Sequence, residues 1–362
     1  MSLARLMATA WRENLLVSVL VELTYRCNLD CFFCYNDLGQ AGEPLSREDY
    51  FRLFDELREM EVLNLTLSGG EPLAHPDFLA LGARARELGF AVRVKSNGHA
   101  LRGELARRIR DEIDPFVIET SLHGATAATH DRQTRVPGSF ERLLANLAEL
   151  RTLELRVKLS STLTAWNEGE IEAMFALADA LGLPLQVDPE VTPRDDGSRE
   201  PLQVAPSREG VLRLFRVQTE RGRALAAGPS LPTVRSADEG VPVPVGKHCG
   251  AGSAGLAVDP YGNVYPCVQW RRPVGNLHEK SLREIWEGSA ALTEVRELTA
   301  RAKDVVEGHG PRSALLNFCP GMAAVHSDGD PLRIYPSAVQ RKELLEVVLE
   351  EEARRPLLPV IS

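Results

Sequence analysis

From residue 15 to about 190, short apolar runs alternate with stretches whose apolar positions recur at helical spacing. Residues 15–24 read as a buried strand. Residues 46–60 read as a helix, with Tyr50, Phe51, Leu53, Phe54, Leu57 and Met60 on one face and Ser46 and Asp49 placed as a capping box. The alternation continues with strands at 62–68, 91–96, 116–121, 155–163 and 185–188. Between them lie helices at 77–88, 101–110 and 139–150, and one that starts at Asn167 as N-cap with Glu170 three residues on. Six strands separated by helices predict an α/β fold, its parallel sheet wound as a barrel or partial barrel.

Beyond residue 190 the pattern breaks. Segments 192–206 and 228–247 are rich in proline, glycine and charge and flank one helix-like stretch at 207–226, so they read as connections. Residues 248–325 carry short strands, turns and three cysteines, a unit expected to depend on metal for its core. A charged helix at about 336–354 follows. The expected division is an N-terminal extension 1–14, a barrel 15–190, a linker with one helix 191–247, a small cysteine-bearing domain 248–327 and a C-terminal helix 328–362.

Charge and hydropathy then narrow the function. A net charge of −9 over 362 residues argues against a general nucleic-acid binder, which needs a basic face. The apolar stretch 15–23 contains Glu22 and is too short to cross a bilayer. No secretory signal stands before it, so a cytoplasmic protein without membrane attachment is expected.

Six cysteines form two groups of three: Cys27, Cys31 and Cys34, then Cys249, Cys267 and Cys319. Three disulfides are one reading of an even count. A chain this long needs no such staples, and clustered thiols in a reducing compartment bind metal. The first trio follows the first strand directly, which in a parallel barrel is the C-terminal mouth where active sites gather. Its spacing lets three thiolates reach three corners of one cubane cluster and leaves one iron open. Zinc is the competing metal, but a structural zinc site wants four ligands and no fourth cysteine or histidine is near in sequence.

Cys27-x-x-x-Cys31-x-x-Cys34, with Phe33 before the last cysteine, resembles the signature of the radical S-adenosylmethionine (SAM) superfamily. Three more segments resemble that family's motifs, each at the end of a predicted strand. They are Ser68-Gly69-Gly70-Glu71-Pro72, then Ser96-Asn97-Gly98, then Glu119-Thr120-Ser121-Leu122-His123-Gly124. The resemblance implies a partial (β/α)6 TIM-like barrel and a [4Fe-4S] cluster on the first trio, its open iron chelating SAM. It implies that main-chain groups at Gly69, Gly70 and Glu71 hold the amino end of SAM, since glycine permits close approach. Ser96, Asn97 and Ser121 would contact ribose and carboxylate, and Phe33 would lie near adenine.

The second trio sits in a comparable frame. His248-Cys249-Gly250 precedes a hairpin with a Gly262-Asn263 turn that ends at Cys267. Then come Gly275-Asn276-Leu277, Ser281-Leu282-Arg283-Glu284-Ile285-Trp286 and Phe318-Cys319-Pro320-Gly321. The series resembles the SPASM and twitch domains, which bind auxiliary iron–sulfur clusters. It departs from a full SPASM domain, which needs seven or eight cysteines. Leu316 stands where a Cys-x-x-Cys pair would put the partner of Cys319. One auxiliary [4Fe-4S] cluster is the implied inventory, its fourth iron open or held by His248 or His326. A degenerate domain binding zinc or nothing is the alternative.

The stretches around His130-Asp131, Pro137-Gly138-Ser139-Phe140 and Asp188-Pro189-Glu190 resemble peptide-modifying SPASM enzymes. These maturases oxidise ribosomally made peptides and form carbon–carbon, ether or thioether cross-links. An oxidation leaves a substrate radical whose electron needs an acceptor, which an auxiliary cluster supplies. The expected partners are a peptide substrate, a reductant such as a flavodoxin or ferredoxin, and a separate leader-binding protein, since no leader-binding domain fits before residue 15. Two other readings stand beside this one: oxidation of a small molecule or tetrapyrrole, and an iron–sulfur protein without turnover. His123, Lys158 and Arg194 are further residues that could face the cavity.

Overall fold

The computed structural model describes residues 3–37, 39–227 and 246–354. The connection expected at 228–247 lies outside these apart from its last two residues, as does the tail from 355. Among the described residues nine strands form one sheet: β1 (Ser18–Glu22), β2 (Asn64–Ser68), β3 (Ala91–Ser96), β4 (Val117–Ser121), β5 (Val157–Thr162), β6 (Leu185–Asp188), β7 (Gly255–Val258), β8 (Asn263–Tyr265) and β9 (Gly275–Asn276). Their order is β6-β5-β4-β3-β2-β1-β7-β8-β9. The first six run parallel, with Ser18 opposite Asn64 at β1–β2 and Ser121 opposite Ser160 at β4–β5. Apolar side chains from one face, among them Val19, Leu65, Val94, Ile118 and Leu159, pack under helices such as Arg47–Glu59 and Ser139–Thr152, while polar residues such as Ser68, Lys95, Glu119, Ser121 and Ser160 line the cavity. The helix Arg47–Glu59 starts at Ser46, whose side chain and that of Asp49 form the expected capping box.

Three local expectations change. Asn167 caps nothing, because its Oδ1 accepts from Thr164 N–H and its Nδ2 donates to the His123 and Thr162 carbonyls. A helix unmarked by any apolar stripe, Ala127–Thr134, stands between β4 and the next helix. The cysteine-bearing unit also contains an 18-residue helix, Ala290–Glu307.

The last third of the chain does not stand apart. β7 pairs in parallel with β1, Ser18 opposite Gly255, so its hairpin extends the barrel sheet. Leu256, Val258, Val264, Ile285 and Trp286 belong to the same apolar core as Val19, Leu65 and Val94. Beside the metal that the sequence expects this unit to need, it thus has apolar packing shared with the barrel. The helix Pro336–Arg354 packs against the helix Arg208–Ala227 through Leu344 and Val348, in a smaller apolar cluster. Among the described residues no helix is long and apolar enough to cross a membrane.

Candidate active site

The loop after β1 carries Cys27, Cys31 and Cys34, and neighbouring strand ends hold it by main-chain bonds. Gly70 N–H donates to the Thr24 carbonyl at 2.7 Å and Glu71 N–H to the Arg26 carbonyl at 2.9 Å. A Cβ at Gly69, where φ is +134°, would lie 2.3 Å from the Thr24 oxygen, and one at Gly70 would lie 2.6 Å from the Tyr25 oxygen. These glycines thus let the β2 end approach the cysteine loop, and two amides expected to grip SAM are already engaged. Glu71 is buried and joins β2 to β3, accepting from Ser96 Oγ, Asn97 N–H and Leu73 N–H. The far side of the loop is tied to the helix Ala127–Thr134: Asp30 and Phe32 N–H groups donate to the Thr134 and Gln133 carbonyls.

Asn97 Nδ2 donates to Asn28 Oδ1 at 2.7 Å and lies 3.7 Å from Cys27 Sγ. Phe33 meets His123 edge-on at 4.7 Å between ring centroids, and His123 stacks on His130. Burial holds both imidazoles well below the usual range, His123 at about 3 and His130 at about 4, so both are neutral. Lys158 does not reach a ligand-like position, lying 3.8 Å from Glu119, while Arg194 pairs with Glu200 and lines the cavity rim.

All six cysteines are free thiols, so no disulfide joins them. Within each trio the thiols sense one another's charge, and burial pushes them up first, Cys249 to about 12. Three buried thiolates without a cation are unfavourable; an iron–sulfur cluster removes that cost by taking the protons' place. Among the described residues no three His, Cys, Asp or Glu side chains converge tightly enough for a single metal ion. Three thiolates per group are the soft donor set that an iron–sulfur cluster takes, one at each of three corners of a cubane.

The second trio is brought together by packing. Cys249 precedes the turn into β7, Cys267 follows β8, and Cys319 stands at the N-terminus of the helix Pro320–His326. A Cβ at Gly321 would fall 2.4 Å from the Gln269 carbonyl oxygen, so glycine lets that helix seat against the Cys267 turn. Leu316, at the missing cysteine position, is buried among Phe318, Met322 and Tyr335. Of the two candidate fourth ligands, His248 has Nε2 2.7 Å from the Phe318 carbonyl oxygen. His326 stacks on Tyr335 at 5.1 Å, with its buried Nε2 unpartnered.

One cavity of about 530 Å³ contains both regions: Cys27, Cys31, Cys34, Gly69, Gly70, Ser96, Asn97, Ser121 and Phe33 at one end, Cys319, Met322 and Tyr335 at the other. Its wall also includes Arg341, which sequence reading missed because nothing in a charged terminal helix distinguishes one arginine.

The chain is 30% identical over 347 residues to the mycofactocin maturase MftC of Mycobacterium ulcerans, covering 92% of this chain and 91% of that one. The model of the radical SAM superfamily matches residues 21–178. The chain belongs to the radical SAM superfamily. The iron–sulfur cluster-binding SPASM domain matches residues 249–308, which include Cys249 and Cys267 and stop short of Cys319. This radical SAM protein is also 31% identical to the PqqA peptide cyclase of Ruegeria pomeroyi, over 77% of this chain and 76% of that one. It is 29% identical to the AdoMet-dependent heme synthase of Methanosarcina barkeri, over 76% and 83%. Its fold matches that of native anSMEcpe with bound AdoMet and a Cp18Cys peptide, with a TM-score of 0.67 and 14% identity over 92% of this chain and 99% of that one. A radical SAM enzyme of this subgroup binds SAM and a [4Fe-4S] cluster in the barrel, and auxiliary iron–sulfur in the SPASM domain.

Proposed function

We propose that this enzyme oxidatively modifies a ribosomally made peptide, with Cys27, Cys31 and Cys34 holding the SAM-cleaving cluster and Cys249, Cys267 and Cys319 the auxiliary one. When bound, cluster and SAM supply a 5′-deoxyadenosyl radical that takes a hydrogen atom from substrate. The observation that carries the reading is the single cavity reaching from the first trio to Cys319. A substrate in it lies between the site of hydrogen abstraction and an electron acceptor, the arrangement a two-electron oxidation needs. The relatives named maturase and peptide cyclase support a peptide.

The chain's own residues supply placement. Asn97 and Ser121 line the cavity, Asn97 held in place by its side-chain bonds to Asn28 Oδ1 and His99 N–H, and the Phe33–His123 pair offers an aromatic wall for adenine. His123 is neutral, so it adds no cation beside the sulfonium. The reductant is a flavodoxin or ferredoxin, and a separate protein presents the peptide leader.

Anaerobic reconstitution should give about eight irons per chain, four per cubane. Replacing Cys27, Cys31 and Cys34 together by Ala should halve the iron and abolish 5′-deoxyadenosine formation; persistence of that product would refute the site. Finding a short precursor peptide encoded beside the gene supports the reading, and incubation with that peptide should give loss of hydrogen from it by mass spectrometry. The heme synthase relative favours a second reading, oxidation of a tetrapyrrole. An unmodified peptide together with a consumed porphyrin would establish it.

A further inference from the structure

A buried ion-pair bridge joins the two cysteine regions, and none of the roles above uses it. Arg271 follows Cys267 by four residues. Its two terminal nitrogens donate to both oxygens of Glu22, at 2.8 and 2.7 Å. Its Nε lies 2.8 Å from Asp195 Oδ2. Glu22 is wholly buried at the end of β1, where the first cysteine loop departs. Asp195 N–H donates to the carbonyl of Tyr35, the residue after Cys34, at 2.8 Å. Tyr25, two residues before Cys27, donates its hydroxyl to Glu22 at 3.0 Å. The guanidinium also lies over the Tyr265 ring at the end of β8, 5.1 Å from its centroid. One side chain, 11% exposed, thus grips the entry and exit of the first cysteine loop from the turn that carries Cys267.

Stability alone is a poor reason for such a group, because desolvation of buried ions offsets their attraction and apolar side chains would join the segments as well. What an apolar contact cannot provide is a fixed positive charge in a weakly polarisable interior, locked in register by a two-pronged grip. Cluster potentials respond to nearby charge and hydrogen bonding. We propose that Arg271 is a positioning residue that holds the auxiliary site in register with the SAM-cleaving site and keeps the auxiliary potential high enough to accept the substrate electron. The proposal rests on the ligand sets given above.

The test uses the full-length chain with Cys27, Cys31 and Cys34 replaced by Ala, so that any remaining cluster signal is the auxiliary one. Iron at about four per chain is confirmed first; its absence overturns the auxiliary assignment and this proposal together, while leaving the peptide reading to its own assay. In that background Arg271→Gln removes one positive charge from the bridge, whereas Arg271→Gln with Glu22→Gln removes one charge of each sign. Redox titration followed by electron paramagnetic resonance should show a lower midpoint potential in Arg271→Gln, and a smaller fall in the double variant. Arg271→Lys, which keeps the charge and loses the fork, should keep the potential. Product formation in the chain with all six cysteines should fall about tenfold or more in Arg271→Gln and in Arg271→Lys. An unchanged potential in Arg271→Gln overturns the proposal and leaves a structural ion pair. So does a lysine variant whose potential falls as far as that of Arg271→Gln, or one that makes product at the parent rate. If Arg271→Gln loses its iron, the lysine variant decides alone: a kept potential with product lost supports the proposal, and any other result overturns it.

Discussion

At Gly70 the missing side chain serves the cysteine loop. Its amide already donates to Thr24, and a Cβ would lie 2.6 and 2.7 Å from the Tyr25 and Arg26 oxygens. Backbone cannot yield as a flexible side chain can, so Gly70→Ala should displace the loop and cost the barrel cluster, about four irons per chain. Iron assay and visible absorbance check this; full iron with only SAM binding weakened would return the glycine to the direct role expected from sequence. The buried histidines carry a pH dependence of definite sign. His123 and His130, 6% and 1% exposed, have folded pKa values far below 6.5, so the unfolded chain takes up protons that the folded one cannot. Their contribution to stability is intact above pH 6.5 and is lost as pH falls toward 4. Between pH 7.5 and 5.5 each should cost on the order of 1 kcal/mol, seen in anaerobic urea unfolding, and His130→Gln should remove about half of the pair's share.

Among the elements, the helix Pro336–Arg354 shows what charge patterning hides. Sequence marks it as a charged helix, yet Arg341 is 5% exposed and reaches the cavity wall. There it pairs with Glu190 beyond β6 and donates to the Asn317 carbonyl at 3.0 Å. Burial brings its pKa down to about 10, against the opposing charge of Asp188. Arg341→Met should destabilise by about 1–3 kcal/mol, because Glu190, half-buried on the cavity wall, is then left with Ser337 as its side-chain partner. Adding Glu190→Gln should recover most of that loss in the same unfolding measurement; no recovery would place the cost in packing. The helix Ala127–Thr134 was illegible for a related reason. Its sequence, AATHDRQT, has no apolar stripe. It is fixed from outside, by Asp131 accepting from Gly138 N–H, Phe140 N–H and Ser139 Oγ, and by the cysteine loop bonded to its end.

On the scale of the whole molecule, the joining of β7 to β1 decides how loss of a cluster is felt. Because the hairpin shares the barrel sheet and its core, Cys267→Ala should leave amides of β7 protected from hydrogen exchange. Protection should fall around Phe318, Met322 and Tyr335, a separate small cluster beside Cys319. Exchange at Leu256 as fast as at Phe318 would show that the metal supports the entire unit after all. The sequence by itself determined the six-fold strand and helix alternation, because burial of one sheet face and of one helix face writes a local period into the chain. It also determined the motif residues at four strand ends, since each is a short run read without reference to distant residues. Tertiary structure alone decided that the cysteine hairpin joins the barrel sheet and that Gly321 seats Cys319 beside the Cys267 turn. It alone decided that Arg271 spans to Glu22 and Asp195, and that Arg341 lines the cavity. These contacts join residues tens to hundreds of positions apart, and the spacing of apolar residues along a chain carries no record of which distant surfaces will meet.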